Sequence, residues 1–290
     1  MLKKAIRKGR EYQMNEKRKV RAGVLSQRML TPEIYDMWLT TDLAADAGAG
    51  QFVGVYPADK SHLLPRPISI CEVDRQQGAL RLVYRIAGAG TAEFASWQPG
   101  QEVMLLGVLG NGFPVGEAAG KRVVLMGGGI GIPPMLELAK ELAAGKGRAE
   151  GSAQEAKAAA AELTIIVGYR DSQLFLKEDL EKYGRVFVAT QDGSAGIEGN
   201  VLTVMEKEQV EADVIMACGP MPMLRAVKAF AKGNGRKIAA YLSLEERMAC
   251  GVGACLGCVC KTTHKDSHSH VNNARICTEG PVFEAGEVEL

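Results

Sequence analysis

The sequence predicts a multidomain β plus α/β protein: an antiparallel β-barrel, a doubly wound parallel α/β domain, and a small carboxyl-terminal module. Three observations predict it. Short strand-like runs, punctuated by Gly and Pro, fill residues 20 to about 116. From Lys121 onward, buried strands alternate with helical stretches. Five of the seven cysteines then fall between Cys250 and Cys277. A chain of 290 residues has room for two domains and a small third unit. The divisions expected are a basic tail at 1–17, the barrel at 18–117, the α/β domain at 118–238 and the module at 239–290.

The barrel rests on the runs VRAGVLSQRML, IYDMWLT, FVGVYP, ISICEV, ALRLVYRIAG and EVMLLGVLG. Their spacing without long helical patterns is that of an antiparallel barrel or sandwich. The α/β domain begins with RVVLMGGG, an apolar strand ending in glycines, and IPPMLELAKELAA follows with helical spacing. ELTIIVGYR and LKEDLEKY repeat the pair, and VFVAT, ADVIMACG and MLRAVKAFAKG continue the alternation. Such alternation builds a parallel sheet covered on both faces. The Ala/Gly-rich stretch 143–163 reads as a helix end plus an exposed insertion.

Composition excludes several classes. Lys plus Arg is 35 and Asp plus Glu is 34, so a net charge of +1 gives no reason to expect nucleic acid as the main partner. No apolar run reaches the length of a membrane span. The basic amino terminus is not followed by an apolar core of signal-peptide length, so a cytoplasmic protein with reduced cysteines is expected.

The cysteine spacing is Cys250-x4-Cys255-x2-Cys258, with Cys277 further on and an extra Cys260. A C-x4-C-x2-C run plus one distant cysteine is the plant-type [2Fe–2S] spacing. Gly251, Gly253 and Gly257 let that loop turn tightly around a cluster. The segment between Cys258 and Cys277 reads as strand, polar turn and returning strand. Zinc held by these cysteines with His264, His268 or His270 is the alternative; structural zinc more often uses two C-x2-C pairs, and only one is present. Cys260 reads as a small core residue or a spare thiol.

Two glycine-bearing strand ends, MGGGIGIPPM at 126–135 and ACGPMPML at 217–224, sit where open sheets bind nucleotides. Each can also be a plain tight turn. QDGSAGIEG at 191–199 adds a polar loop.

RPIS (66–69), GGGIGIPP (127–134) and CGPMPM (218–223) occur in an order that resembles the ferredoxin–NADP reductase superfamily. LGNGFPV, QDGS, SLEERMACGVGACLGCVC and CTEGPVF narrow the resemblance to the electron-transfer subunits of type B dihydroorotate dehydrogenase. It covers roughly residues 18–290. Cys250 stands where ferredoxin-reductase alpha subunits typically carry aspartate, and Val108 replaces the proline of the usual GPLGNGFP.

The resemblance implies a flavin-binding barrel in which Arg66, Pro67, Ile68, Ser69, Val83, Tyr84, Arg85, Gly90 and Thr91 contact FAD. It implies that Gly127, Gly128, Gly129, Gly131, Cys218, Gly219 and Pro220 lie along NAD. It implies that Cys250, Cys255, Cys258 and Cys277 ligate a [2Fe–2S] cluster. No catalytic acid or base is expected. Electrons would pass from the FMN of a partner catalytic subunit through the cluster and FAD to NAD, in a heterotetramer of two plus two, serving pyrimidine (UMP) biosynthesis. The residues alone leave NAD against NADP open, since Arg170 suits a 2′-phosphate and Asp171 does not; the resemblance implies NAD. The runner-up is an NAD(P)H-dependent flavin and iron–sulfur reductase serving ferredoxin or another acceptor.

Overall fold

In the computed structural model the described residues are 17–144, 159–233, 238–265 and 270–290, with the backbone alone at 3–7 and 10–14. Residues 145–158 of the expected insertion, and His268, lie outside them. β1 (Lys3–Arg7) and β2 (Arg10–Met14) pair as an antiparallel hairpin.

β3 (Arg18–Thr31), β4 (Ile34–Thr40), β5 (Phe52–Tyr56), β6 (Arg66–Asp74), β7 (Ala79–Arg85) and β8 (Glu102–Leu109) close into a barrel. Its strand order is β3-β4-β7-β6-β5-β8, with every neighbouring pair antiparallel. All the strand-like runs of the barrel region are therefore strands. α1 (Ala89–Phe94), which the sequence reading did not anticipate, brings Phe94 into the barrel interior beside Trp97.

β7 shows why its run is apolar on both faces. Leu80, Leu82 and Tyr84 alternate into the barrel interior with Ile70 and Leu105. Val83 points the other way, into a core shared with Met135 and Leu136 of the second domain, as does Cys71. Outward-facing Arg81 is buried too, and its charge is met on both sides of the seam. It donates to Asp36 at 2.9 Å and Glu72 at 3.2 Å in the barrel, and to Asp179 at 3.0 Å in the sheet domain.

The second domain runs β9 (Arg122–Gly128), α2 (Pro133–Ala143), β10 (Glu162–Tyr169), α3 (Lys177–Glu181), β11 (Arg185–Thr190) and β12 (Ile197–Glu198). It continues with α4 (Val201–Lys207), β13 (Val214–Cys218), α5 (Met221–Lys232) and β14 (Ala239–Ser243). Pro133 and Pro134 open α2, where a missing N–H costs nothing. Asn200 caps α4, its side chain accepting from the N–H groups of Leu202 and Thr203.

The last segment holds β15 (Val259–Lys261), β16 (Asn273–Arg275), α6 (Ile276–Glu279) and β17 (Val282–Glu284). The sheet order is β12-β11-β10-β9-β13-β14-β17, parallel except for β17. β14 and β17 both come from 239–290, so the stretch expected to form a separate module also completes the sheet. Strands β9, β10 and β13 are buried almost throughout because both sheet faces are covered. On one face lie α2 and the barrel. The other carries α4, α5 and the carboxyl-terminal residues around Cys258, Cys277 and Phe283. No helix among the described residues is long and apolar enough to cross a membrane.

Candidate functional site

The chain order of the sheet reverses between β9 and β13, and that switch point is where open sheets leave a crevice. The two glycine turns meet there, with Gly127 paired to Cys218 in the parallel register. Most of these glycines are small because the turns pack on each other. A Cβ on Gly131 would lie 2.4 Å from the Cys218 carbonyl oxygen, and one on Gly128 would lie 2.6 Å from the Met223 sulfur. Gly127 abuts Ile132, and Gly219 abuts Met223. Gly129 differs: its φ is +52° and nothing stands within 4 Å of its missing side chain.

A cavity of about 560 Å³ opens at this point. Gly128, Gly129 and Pro220 line it, and it extends past Tyr169, Arg170 and Asp171 to Thr31–Ile34 of the barrel. Gly127, Gly131, Cys218 and Gly219 do not line it and form the frame of the turns instead. The Cys218 thiol is fully buried; burial pushes its pKa up, against a hydrogen bond with Ser243.

A second cavity, of about 900 Å³, lies between the barrel and the carboxyl-terminal segment. Arg66, Pro67, Ile68, Ser69, Val83, Tyr84, Arg85 and Thr91 all line it. Gly90 does not, but a Cβ there would meet the Arg66 Nε at 2.6 Å, so the glycine makes room for the guanidinium. Arg66 is also held by its own loop, donating to the Leu64 carbonyl at 2.5 Å. The opposite wall is residues 243–249, which the sequence reading did not assign to a site. In the sequence they open the SLEERMACGVGACLGCVC motif, which pointed to the family and not to a pocket wall.

The four spaced cysteines come together as two pairs. Cys250 lies beside Cys255, and Cys258 beside Cys277. Of the expected strand–turn–strand, the two strands pair as β15 against β16, while residues 266–269 of the turn lie outside the described residues; the Ile276 N–H bonds the Cys258 carbonyl at 2.8 Å. That bond brings Cys277 back to the loop. Gly251 and Gly253 have positive φ, as the tight wrapping requires, and Leu256 also adopts the left-handed region at φ 56°. Burial opposes ionisation of Cys250, but the N–H groups of Val252, Cys255 and Ala254 and the Cys255 thiol lower its pKa to about 6. Burial pushes the Cys277 thiol up, and its Cys258 neighbour adds to this.

Two pairs of thiols fit two metal ions sharing a bridge, the donor set of a [2Fe–2S] cluster. Among the described residues, no three His, Cys, Asp or Glu side chains stand close enough to hold one metal ion. Cys260 sits on β15 opposite Ala274 and packs against the sheet core. His264 engages Thr262 and Thr263.

Residues 245–289 match the family model described as the iron–sulfur cluster binding domain of dihydroorotate dehydrogenase B. The chain is 41% identical over 274 residues to the dihydroorotate dehydrogenase B (NAD(+)) electron transfer subunit of Geobacillus thermodenitrificans, covering 93% of this chain and 98% of that protein. It is 42% identical to the subunit of the same name from Bacillus caldolyticus, at the same coverage. The chain belongs to the dihydroorotate dehydrogenase B electron transfer subunits.

Solved structures agree on the fold. The NADH-dependent reduced ferredoxin–NADP oxidoreductase superposes with a TM-score of 0.77 at 24% identity, covering 92% of this chain and 89% of that one. A ferredoxin–NADP+ reductase from Neisseria gonorrhoeae, solved with FAD and NADP, gives 0.61 at 18%, covering 78% and 99%. The expected family holds, the solved structures share the fold, and the chain is an oxidoreductase subunit, which implies a catalytic partner.

For a dihydroorotate dehydrogenase B electron transfer subunit, the telling feature is how its sites adjoin. Gly257, between Cys255 and Cys258, lines the larger cavity. Arg85 and Ile130 line both cavities. Gly251 packs on Leu109 of the barrel, and Arg275 ties the cysteine loop to α6 through Gly253 and Glu279.

Proposed function

We propose that this chain carries electrons from dihydroorotate, oxidised at the FMN of a partner catalytic subunit, through a [2Fe–2S] cluster and FAD to NAD+. The setting is de novo pyrimidine (UMP) biosynthesis in the cytoplasm. The observation that carries the reading is the shared walls: Gly257 joins the cysteine loop to the larger cavity, and Ile130 joins that cavity to the smaller one. When bound, FAD exchanges single electrons on one side for a hydride on the other.

The residues divide the work by position. The barrel, 18–117, is the FAD domain. Arg66 faces the pyrophosphate, with Gly90 leaving room for its guanidinium. Pro67, Ile68, Val83, Tyr84, Arg85 and Thr91 shape the pocket, and Ser69 bonds the isoalloxazine. In the NAD domain, 118–238, Gly128, Gly129 and Pro220 contact NAD, while Gly127, Gly131, Cys218 and Gly219 fix the turns. Arg170 and Asp171 both line that cavity, and the NAD(+) in the relatives' names supports the reading in which Asp171 disfavours a 2′-phosphate. In the module, 239–290, Cys250 and Cys255 hold one iron, and Cys258 and Cys277 the other. No side chain is needed as a strong acid or base.

The partner docks on the face where Cys255 is exposed, flanked by the exposed apolar side chains of Val252, Leu256 and Val259. The expected assembly is two copies of each subunit. Anaerobic purification of the chain should give flavin and [2Fe–2S] absorbance, NADH-dependent dye reduction and no dihydroorotate oxidation. It should also capture an FMN-containing partner. A colourless zinc protein, or dihydroorotate turnover by the chain alone, would overturn the reading. Capture of a ferredoxin instead would favour a reductase with a different acceptor.

A further inference from the structure

α2 joins the two halves of the proposed reaction site. Its amino-terminal end is the Gly129–Gly131 turn, which carries Ile130 of the shared wall. Its polar stripe, Glu137, Lys140 and Glu141, faces the barrel, with Glu137 buried and Lys140 partly exposed. Glu137 accepts from the Val73 N–H at 2.8 Å, Glu141 from the Ala49 N–H at 3.0 Å, and Lys140 donates to the Val73 carbonyl at 2.7 Å. These bonds fix where the turn stands relative to the barrel.

Glu137 is the unusual member. It is 1% exposed, and its Oε1 has no hydrogen-bond donor. Its charged neighbours are few. Lys140 on its own helix stands 3.5 Å away, and Arg75, in the turn after β6, stands 3.7 Å away. Both are engaged elsewhere, Lys140 with Glu72 and Val73, and Arg75 with the Ala47 carbonyl. Glu141 on α2 repels a second negative charge, and so does Tyr183 beyond α3 when ionised. A buried carboxylate oxygen without a donor is where negative charge is least tolerated.

We propose that Glu137 is a proton-linked positioning residue for the nicotinamide site: uncharged, it lets α2 and the Gly129–Gly131 turn seat against the barrel, and charged, it works to open that seam. This rests on the proposed placement of FAD and NAD in the two cavities. The direction follows from linkage. Burial raises the Glu137 carboxyl to about 7, against the attraction of Lys140 and the Val73 N–H. Opening the seam returns it to water and to the ordinary carboxylate range. The closed seam therefore binds the proton more tightly, and its advantage falls as pH rises towards 7 and is level above. A turn displaced from its seat misaligns the bound nucleotide.

The test is the pH dependence of NADH-dependent dye reduction by the full chain with its cofactors bound, for wild type and Glu137→Gln. The amide keeps the Val73 bond and cannot ionise. In wild type, KM for NADH should rise about threefold or more between pH 5.5 and 7.5, with kcat moving less. The Gln variant should stay flat at the wild-type acid value. Parallel profiles, or a flat wild type, would overturn the proposal. Arg75→Gln is the second variant: losing that cation removes an attraction for the Glu137 carboxylate, so the inflection should shift to higher pH, and an unmoved inflection counts against the proposal. Bleaching of the flavin by NADH at a single pH reports separately on the proposed function. Without bleaching, that function fails and thermal unfolding reads the seam. The Gln variant must then gain over wild type above pH 7; no gain sinks the inference.

Discussion

Gly131 and Cys218 stand so close that a Cβ on the glycine would lie 2.4 Å from the cysteine carbonyl oxygen and 2.6 Å from the Gly219 nitrogen. Those atoms are backbone and have no rotamer with which to retreat. Gly131→Ala should therefore push the two turns apart, costing about 1–3 kcal/mol as overpacking does. Thermal unfolding should show the loss, and KM for NADH should rise because both turns border the cavity proposed for NAD. Gly129→Ala should act differently. Space is open there, so the cost is the backbone conformation alone, about 1 kcal/mol.

Arg81 predicts the strength of the seam. It is almost fully buried, bidentate to Asp36, and bonded to Glu72 and Asp179. Burial works against its charge, but the Asp36 bonds and the surrounding carboxylates raise its pKa further above the usual arginine range. Arg81→Met leaves the buried Asp36 carboxylate with Arg28 alone, bonded at 2.9 Å, and a buried acceptor that loses part of its donors costs about 1–3 kcal/mol. Urea unfolding should show a loss of that order. Replacing both Arg81 and Asp36 by apolar residues should recover part of it. An unchanged midpoint in Arg81→Met would refute the assignment.

The parts legible in the sequence were those set by local pattern. Alternating runs gave the barrel strands, and a fixed spacing gave four cysteines that the fold draws together. What escaped was set by contacts distant in the chain. Glu137, Lys140 and Glu141 recur at helical spacing as a polar stripe, which alone reads as a solvent face; the barrel covers it. Residues 243–249 carry no pocket-like pattern, and only the fold turns them towards Arg66. The glycines of GGGIG read as room for a ligand, yet Gly131 and Gly128 serve turn-to-turn packing. α1 is six residues, preceded by Gly88 and containing Gly90, too short for periodicity to register.

The thiols predict an order of reactivity once the metal is chelated away. With its pKa near 6, Cys250 is largely thiolate at pH 7, whereas Cys277 is 0% exposed and held neutral. Brief alkylation of the reduced apo chain at pH 7, read by peptide mass, should label Cys250 well before Cys277. Lowering the pH to 5 crosses the Cys250 pKa, so its labelling should slow about tenfold. Equal labelling of the two at pH 7 would mean that the loop does not keep this arrangement without metal.

Leu256 predicts where the partner subunit sits. It lies between two of the paired cysteines, is 62% exposed, and holds a left-handed backbone at φ 56° that a branched side chain rarely adopts. A glycine would relieve that conformation, so the apolar side chain is present at a cost to the loop. Val252 and Val259 extend the same apolar surface. Leu256→Asp places a charge at the centre of that face, where a desolvated contact tolerates it least. Affinity for the catalytic subunit should fall about tenfold or more, and dihydroorotate-to-NAD+ turnover of the complex should fall with it. NADH-dependent dye reduction by the chain itself should persist, since Leu256 lines neither cavity. Leu256→Gly separates the two roles of the residue, stabilising the loop while weakening the complex. Full affinity in the Asp variant would move the docking face away from the cysteine loop.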